Sequence, residues 1–579
     1  MKSRSTRRSQ KSSSPGDDIT ERSTAAIFRG VDPAATANGE KEPRRPLAEA
    51  VKNSQAPIQQ QEEEAGFPFN YLYQFQDFLE LHMSVLKGAQ LLVFGFFVQL
   101  VYLKQANFEH LKTSIPMLFY NWVGITACIV LSAVKSKDSE VKPPDFNYFY
   151  SVLIPALLNT LYYDPSWFLI NCSLNYFTVD KMHPIFNLIS SVVFYEIYRE
   201  DNESTIPTVQ FVQLAVAQFF FIFVLNDLND RNGSGSSDTS ASSKSLRKPE
   251  IQLISMLLVN VLFNQVMVKD ELPLVVFQKL LSSLIVASFL LYPVHGFLNE
   301  WIAMAAFGAV FCFLAIFQLN LVLGENALFW LRDYILQVPE RVYIFKVWII
   351  AASVSIPLVF YIAGMFNLNT RRKIWHILVI LALTFTPSVL FNEIDFTLIA
   401  LLGMIIVFLI VEGIRLNNSS YLGQALSKGL AQFQDMKDSS GTLNLSYIYL
   451  LTGVTFPVVY DYLVNRDKVT IIRYVGLISL GVGDTLASII GQRFGSLKWK
   501  GSEKSVQGTA AFIISCLLAF NAVEHINSNN PKYVPIANWE NAFVSLILGG
   551  VLEGVANIND NYLVPVFIPI AFDLLNRCY

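Results

Sequence analysis

Asp484, Ser488, Gly491 and Gly495 recur at i, i+4, i+7 and i+11 within "GVGDTLASIIGQRFGSLKWKGSEKSVQG", residues 481–508. On a helix that spacing gathers them on one face. The face carries a carboxylate, a hydroxyl and two positions without side chains, while Leu486, Ile489 and Ile490 fall off it. Four bases follow within a dozen residues: Arg493, Lys498, Lys500 and Lys504. Lysines beside phosphates act as point charges that offset a triphosphate and its transition state. A second acidic group lies in "EGVANINDNYLVP", residues 553–565, where Glu553 and Asp560 are seven apart and Asn561 follows. Magnesium takes one or two carboxylates together with phosphate oxygens and water. Asp484 with Asp560, joined by Glu553, would make such a set.

Each feature also has a plainer reading. Small residues at this spacing let membrane helices pack closely, bases crowd cytosolic loops, and an Asp–Asn pair caps a helix. Asp484 tips the balance, because an ionisable group inside an apolar span is costly and marks function. Lys504–Ser505 has the Lys–Ser pairing of phosphate loops. No GxxxxGK[ST] occurs, however, so the soluble P-loop architecture is excluded.

Helices must position these groups, and the composition supplies them. The 579 residues are 53% hydrophobic and 15% charged, with mean hydropathy +0.40. A soluble domain carries about 25% charged residues. A crossing helix takes ~20 mostly apolar residues. Spans are expected near 88–104, 114–134, 148–170, 181–198, 207–225, 251–268, 273–293, 299–323 and 344–366. Others follow near 374–391, 396–415, 443–464, 471–490, 508–526, 540–556 and 562–576. The expected fold class is all-α, a polytopic transmembrane bundle of about 13–16 spans.

Residues 1–66 are polar, without apolar periodicity, and read as a disordered tail rather than a signal peptide. Residues 226–250 have linker composition and read as a disordered loop. The block 67–370 is multispanning, and its stretch from 250 to 366 shows no recognisable chemistry. The polar residues that a purely structural bundle would not need lie in 371–579. Net charge is −3, with no hint of nucleic acid. Five scattered cysteines form no CxxC pair or disulfide framework, and six histidines form no HxxxH or HExxH pair, so zinc chemistry is excluded.

Lys and Arg in short loops set orientation. Arg371, Arg372 and Lys373 place their turn in the cytosol. Counting spans onward brings Arg415 with 417–442, the basic loop 491–507, and Asp560–Asn561 to that same side. Four polar segments thus converge on one membrane surface.

The 481–508 run, continued as "GTAA", resembles the nucleotide-binding signature of the CTP-dependent polyprenol kinase family, in its dolichol-phosphorylating branch. "RRKIWH" (371–376), "VEGIR" with Glu412 and Arg415, "FQDMKDSSGTLNLSYIYLLTG" with Asp435 and Asp438, and the acidic "EGVANINDNYLVP" support it. The likeness covers roughly the last 210 residues. It implies transfer of the CTP γ-phosphate to the terminal hydroxyl of dolichol, in the endoplasmic reticulum membrane with the site facing the cytosol. It also implies Mg2+ or another divalent cation. CTP would be held by Gly483, Asp484, Thr485, Ser488, Gly491, Arg493, Gly495, Lys498, Lys500, Lys504 and Ser505. Asp484, Asp560 and Lys504 would be catalytic, and Asp484, Asp560 and Glu553 would hold the metal. Arg372, Lys373, His376, Glu412, Arg415, Asp435, Asp438 and Asn561 are further candidates, although a lone histidine such as His376 more often packs than catalyses.

Two other classes compete. A phosphatidate cytidylyltransferase also uses CTP in a membrane bundle, but would be expected to carry a "KD…HGG…DR.D" tract near its C-terminus, which is absent here. A transporter would show internal repeats and paired broken helices near the midplane, and neither pattern is found.

Overall fold

Helix start and stop signals divide the apolar chain. The computed structural model describes a few isolated positions between 88 and 127, then residues 165–178, 183–199, 206–230, 245–265, 271–292, 297–417, 420–434, 442–465, 468–499, 502–555 and 559–576. The tail 1–66, most of the first three expected spans, the loop centre 231–244, Asp435, Asp438 and Lys500 lie outside the described residues. The chain divides into two units, Met1–Gln76, wholly outside the described residues, and Asp77–Tyr579. Within the second, helices run α1 Pro165–Leu174, α2 Pro184–Arg199, α3 Thr208–Asp230, α4 Lys248–Phe263, α5 Leu272–Leu291 and α6 Glu300–Leu323. Next come α7 Ala327–Leu336, α8 Pro339–Ile362, α9 Leu368–Thr384, α10 Ile394–Leu416, α11 Tyr421–Ala431 and α12 Ser446–Asn465. The last four are α13 Asp484–Phe494, α14 Val506–Asn527, α15 Trp539–Val555 and α16 Asp560–Asn576. Among the described residues there is no strand, only two isolated β-bridges. The fold is all-α.

Seven of these helices are long and apolar enough to cross a membrane by length and composition: α3, α5, α6, α8 (extended to Met365), α10, α12 and α14. The 16- and 17-residue helices α2, α9, α15 and α16 pack among them. From Asn561 to Leu575 every side chain of α16 is buried, which makes it the axis of the C-terminal half. Packed around it are α12, α15 and the segment 477–483, and α14 lies against α15. By contrast α6 and α8 expose apolar residues, including Phe313 at 68% and Ile350 at 63%. A helix apolar all round, with its side chains uncovered, suits a lipid surface.

Three expectations are corrected. The span near 374–391 begins earlier and ends sooner, because Asn367 caps α9 by accepting from the Thr370 N–H, so 371–373 lie inside the helix rather than in a turn. The linker at 226–250 is shorter: α3 continues to Asp230, and residues 245–250 are held, Asn229 exchanging bonds of 2.9 and 3.1 Å with Leu246. The span near 471–490 is not one helix. A 3-10 turn at Ile471–Tyr474 and a π segment at Leu477–Gly483 precede α13. In addition, the short helix α7 interrupts the apolar block, started by the Asn326 cap just after Gly324 ends α6 at φ 71°.

Candidate functional site

The α13 stripe meets a matching stripe on α9. Asn369, Lys373 and His376 stand at i, i+4 and i+7, so they share one face. Asn369 Nδ2 donates to Ser488 Oγ at 2.6 Å, and the Lys373 ammonium pairs with Asp484 Oδ2. His376 is buried, its Nδ1 2.9 Å from the Leu480 carbonyl and 3.8 Å from Asp484. A carbonyl can only accept, so Nδ1 carries the proton. As the spacing required, Leu486 and Ile489 are exposed on the far side.

The glycines of the stripe receive α14. A Cβ at Gly491 would lie 3.0 Å from Ser505 Oγ, and one at Gly508 would lie 3.1 Å from the Ala487 carbonyl. Close backbone approach here is helix packing, and it brings the start of α14 beside α13. Ser505 is spent on that junction: its buried hydroxyl caps α14, accepting from the Gly508 N–H at 3.1 Å.

Between the two helices the chain folds back on itself. Trp499 N donates to Lys504 O at 3.0 Å and Val506 N to Leu497 O at 2.8 Å. The Trp499 indole bonds Thr509 Oγ1 at 3.0 Å. This pinned turn directs Lys504 inward while Arg493 and Lys498 stay exposed. The Lys504 ammonium lies 2.5 Å from Glu553 Oε1, 2.8 Å from the Glu553 carbonyl and 2.5 Å from Asp560 Oδ2. Burial alone would lower its pKa, but the two carboxylates outweigh burial and hold it above the ordinary lysine range. Lys504 therefore stays charged at any ordinary pH.

Asp484, Glu553, Asp560, Asn561 and Ser479 line one small cavity, walled by Leu480, Phe512 and Val564. The carboxylates thus come together from three separate helices. Ser479 Oγ is buried there without a hydrogen-bond partner, as is Thr485 Oγ1 nearby in sequence. Ser479 is five residues before Asp484, off its face in an α-helix. The π turn closes over five residues, with the Asp484 N–H bonded to the Ser479 carbonyl, and so brings the two together.

Glu412 and Arg415 do something else. Arg415 forks onto Glu412 at 2.8 and 2.6 Å and reaches the Thr442 carbonyl at 2.5 Å. Glu412 also accepts from Asn444 N at 2.7 Å and Tyr447 OH at 2.8 Å. The pair is a buried tie that fastens the segment before α12 to the end of α10. Arg371, on the opposite side of α9, bonds the carbonyls of Phe366 and Gln432 at 2.7 and 3.1 Å, and Arg372 is half-buried beside it.

The chain is 38% identical over 256 residues to a dolichol kinase of Saccharomyces cerevisiae, covering 44% of this chain and 46% of that protein. It is 34% identical over 209 residues to one from Schizosaccharomyces pombe, covering 36% and 40%. A Homo sapiens dolichol kinase is 27% identical over 270 residues, covering 44% and 48%. Over these stretches the chain is similar in sequence to dolichol kinases. The matched stretch spans 40–48% of the length of these curated relatives. No family model matches the chain, and no solved structure matches it.

Sequence reasoning missed Asn369 and Ser479 at this site. Asn369 was legible, four residues before Lys373 on a shared helical face. Ser479 was not, because nothing in its neighbours announces a π turn.

Proposed function

We propose that the protein is a dolichol kinase of the endoplasmic reticulum membrane, transferring the γ-phosphate of CTP to the terminal hydroxyl of dolichol at a cytosol-facing site. The observation that carries this reading is the single cavity where Asp484, Glu553 and Asp560 meet with Lys373 and Lys504 at its edge, in a chain related to dolichol kinases. Phosphoryl transfer is mostly positioning and charge stabilisation, and two lysines against three carboxylates are suited to both.

The residues fit a hard divalent cation. The donors are oxygens, and the orphaned Ser479 hydroxyl adds one more. Among the described residues no three His, Cys, Asp or Glu side chains cluster tightly enough to hold a metal alone, so a cation would share ligands with nucleotide phosphates. Asp484 or Asp560, with Glu553, would hold Mg2+, which when bound neutralises charge on the phosphates. Lys504 would contact the transferring phosphoryl group, with Lys498 and Arg493 offering charge from the exposed rim. In the transfer the lipid hydroxyl oxygen forms the new P–O bond, the bond to the β-phosphate oxygen breaks, and CDP leaves. The hydroxyl proton passes to whichever of Asp484 and Asp560 does not ligate the cation.

The test uses membranes containing the protein, γ-labelled CTP and ATP, dolichol and magnesium. Labelled lipid phosphate from CTP is expected. Cytidylyl transfer, or no lipid product with either nucleotide, overturns the reading. A cysteine at Ser502 should label from the cytosol and one at Ser528 from the lumen, and reversed labelling would refute the orientation. The cytidylyltransferase and transporter alternatives have no comparable support.

A further inference from the structure

Glu250 stands at the start of α4, in the part of the chain where the sequence showed no chemistry. It is 5% exposed. Its Oε2 accepts from the Arg247 N–H at 2.8 Å, reaching back from the third helical position to the N-cap at the head of the helix. Its Oε1 accepts from the backbone N–H of Asn559, also at 2.8 Å, across 309 residues of sequence. A cap needs only the first bond. The second reaches the wall of the candidate site.

Asn559 is where α16 begins. Its carbonyl receives the N–H groups of Tyr562 and Leu563 at 3.2 and 3.0 Å, and its side chain receives that of Asn561 at 3.1 Å. The next residue is Asp560, with Oδ1 accepting from Asn561 N at 2.9 Å and Oδ2 on Lys504. The base from which Glu250 acts is itself fixed, by the Asn229–Leu246 pair and by Ser245 Oγ, which accepts from Leu443 N at 2.9 Å. Charge-assisted bonds from a carboxylate are about twice as strong as neutral ones. A negative group beside the first turn of α16 also suits its dipole.

We infer that Glu250 is a positioning residue for the phosphoryl transfer proposed above, on which this inference rests: it holds the Asn559–Asp560 turn where Asp560 meets Lys504 and the cavity. The segment N-terminal to residue 371 thereby becomes part of the site's support.

The experiment compares full-length wild type, Glu250→Ala and Glu250→Gln in detergent, by hydrogen exchange on peptides covering 556–563 and by steady-state kinetics with CTP, Mg2+ and dolichol. In Glu250→Ala the exchange of that peptide should accelerate at least tenfold, and kcat should fall at least tenfold with the KM for dolichol within twofold. Glu250→Gln keeps one accepting oxygen, enough for the Asn559 N–H but not for the Arg247 N–H as well, so it should restore part of both. Wild-type exchange in Glu250→Ala overturns the inference, and so does faster exchange with normal kcat. Losses that Glu250→Gln fails to rescue and that follow a lowered Tm also overturn it, since they mark a merely structural cap. An inactive wild type would refute the functional reading alone, and the exchange readout would still decide whether Glu250 holds the turn.

Discussion

Arg473 and Asp461 pair at 2.7 Å with 1% and 0% of their side chains exposed, whereas Lys504 and Asp560 pair at 2.5 Å with 36% and 33% exposed. The first pair is saturated. Arg473 also bonds the carbonyls of Leu390 and Lys468, at 2.6 and 3.3 Å, and Asp461 accepts from Asn465 and Thr470. The second borders a cavity, near a buried hydroxyl with no partner. Breaking a buried pair strands a charge in low dielectric, while a pair with an open side can exchange partners with an incoming ion. Burial of charge therefore marks two things in this chain, and the unfilled side distinguishes them.

The largest effect should come from the saturated pair. Asp461→Asn should destabilise the protein by about 3–5 kcal/mol, seen as a lowered Tm and poor recovery of folded protein, with near-normal turnover in what remains folded. A stable but inactive Asp461→Asn would break the comparison by making this pair functional. Asp484→Asn should do the reverse, lowering kcat by about 10²–10³ while Tm moves little. Lys504→Ala should cost about ten- to a hundredfold in kcat/KM, which is about 1.4–2.7 kcal/mol. Its measurement against CTP and dolichol separately would show which substrate Lys504 serves. The smallest effect belongs to Arg493→Ala and Lys498→Ala. These exposed side chains should change kcat/KM less than about fivefold, more at low salt than at high. A loss equal to that of Lys504→Ala would move the phosphate site out to the rim.

Much of this was legible in residue types and spacing. Apolar runs of crossing length placed most of the described elements, and the costly carboxylate in an apolar run singled out Asp484. Glu553 and Asp560 were visible as an acidic pair, though their shared lysine was not, since it depends on how the turn at 497–506 folds. The glycine stripe was visible too, and the plainer of its two readings describes what it touches: α14 packs there. Glu412 and Arg415 were visible as charged residues in a span, but only the carbonyl and amide groups around them reveal a structural tie. Ser479 and Glu250 could not be read, one because its position depends on a backbone irregularity, the other because its partner lies at the far end of the chain.

The π segment has a genetic consequence. A π turn holds one residue more than the α turn it replaces, so loss of one codon within 477–483 could let the segment close as ordinary helix. Hydropathy and span length would scarcely change, and no charged or catalytic residue would be missing. Everything on the N-terminal side would nevertheless turn by about 100° relative to Asp484, carrying Ser479 away from it and the Leu480 carbonyl away from His376. Such an allele should yield full-length, membrane-inserted protein in normal amounts and behave as a null, a loss that no scan of substitutions along this stretch would anticipate.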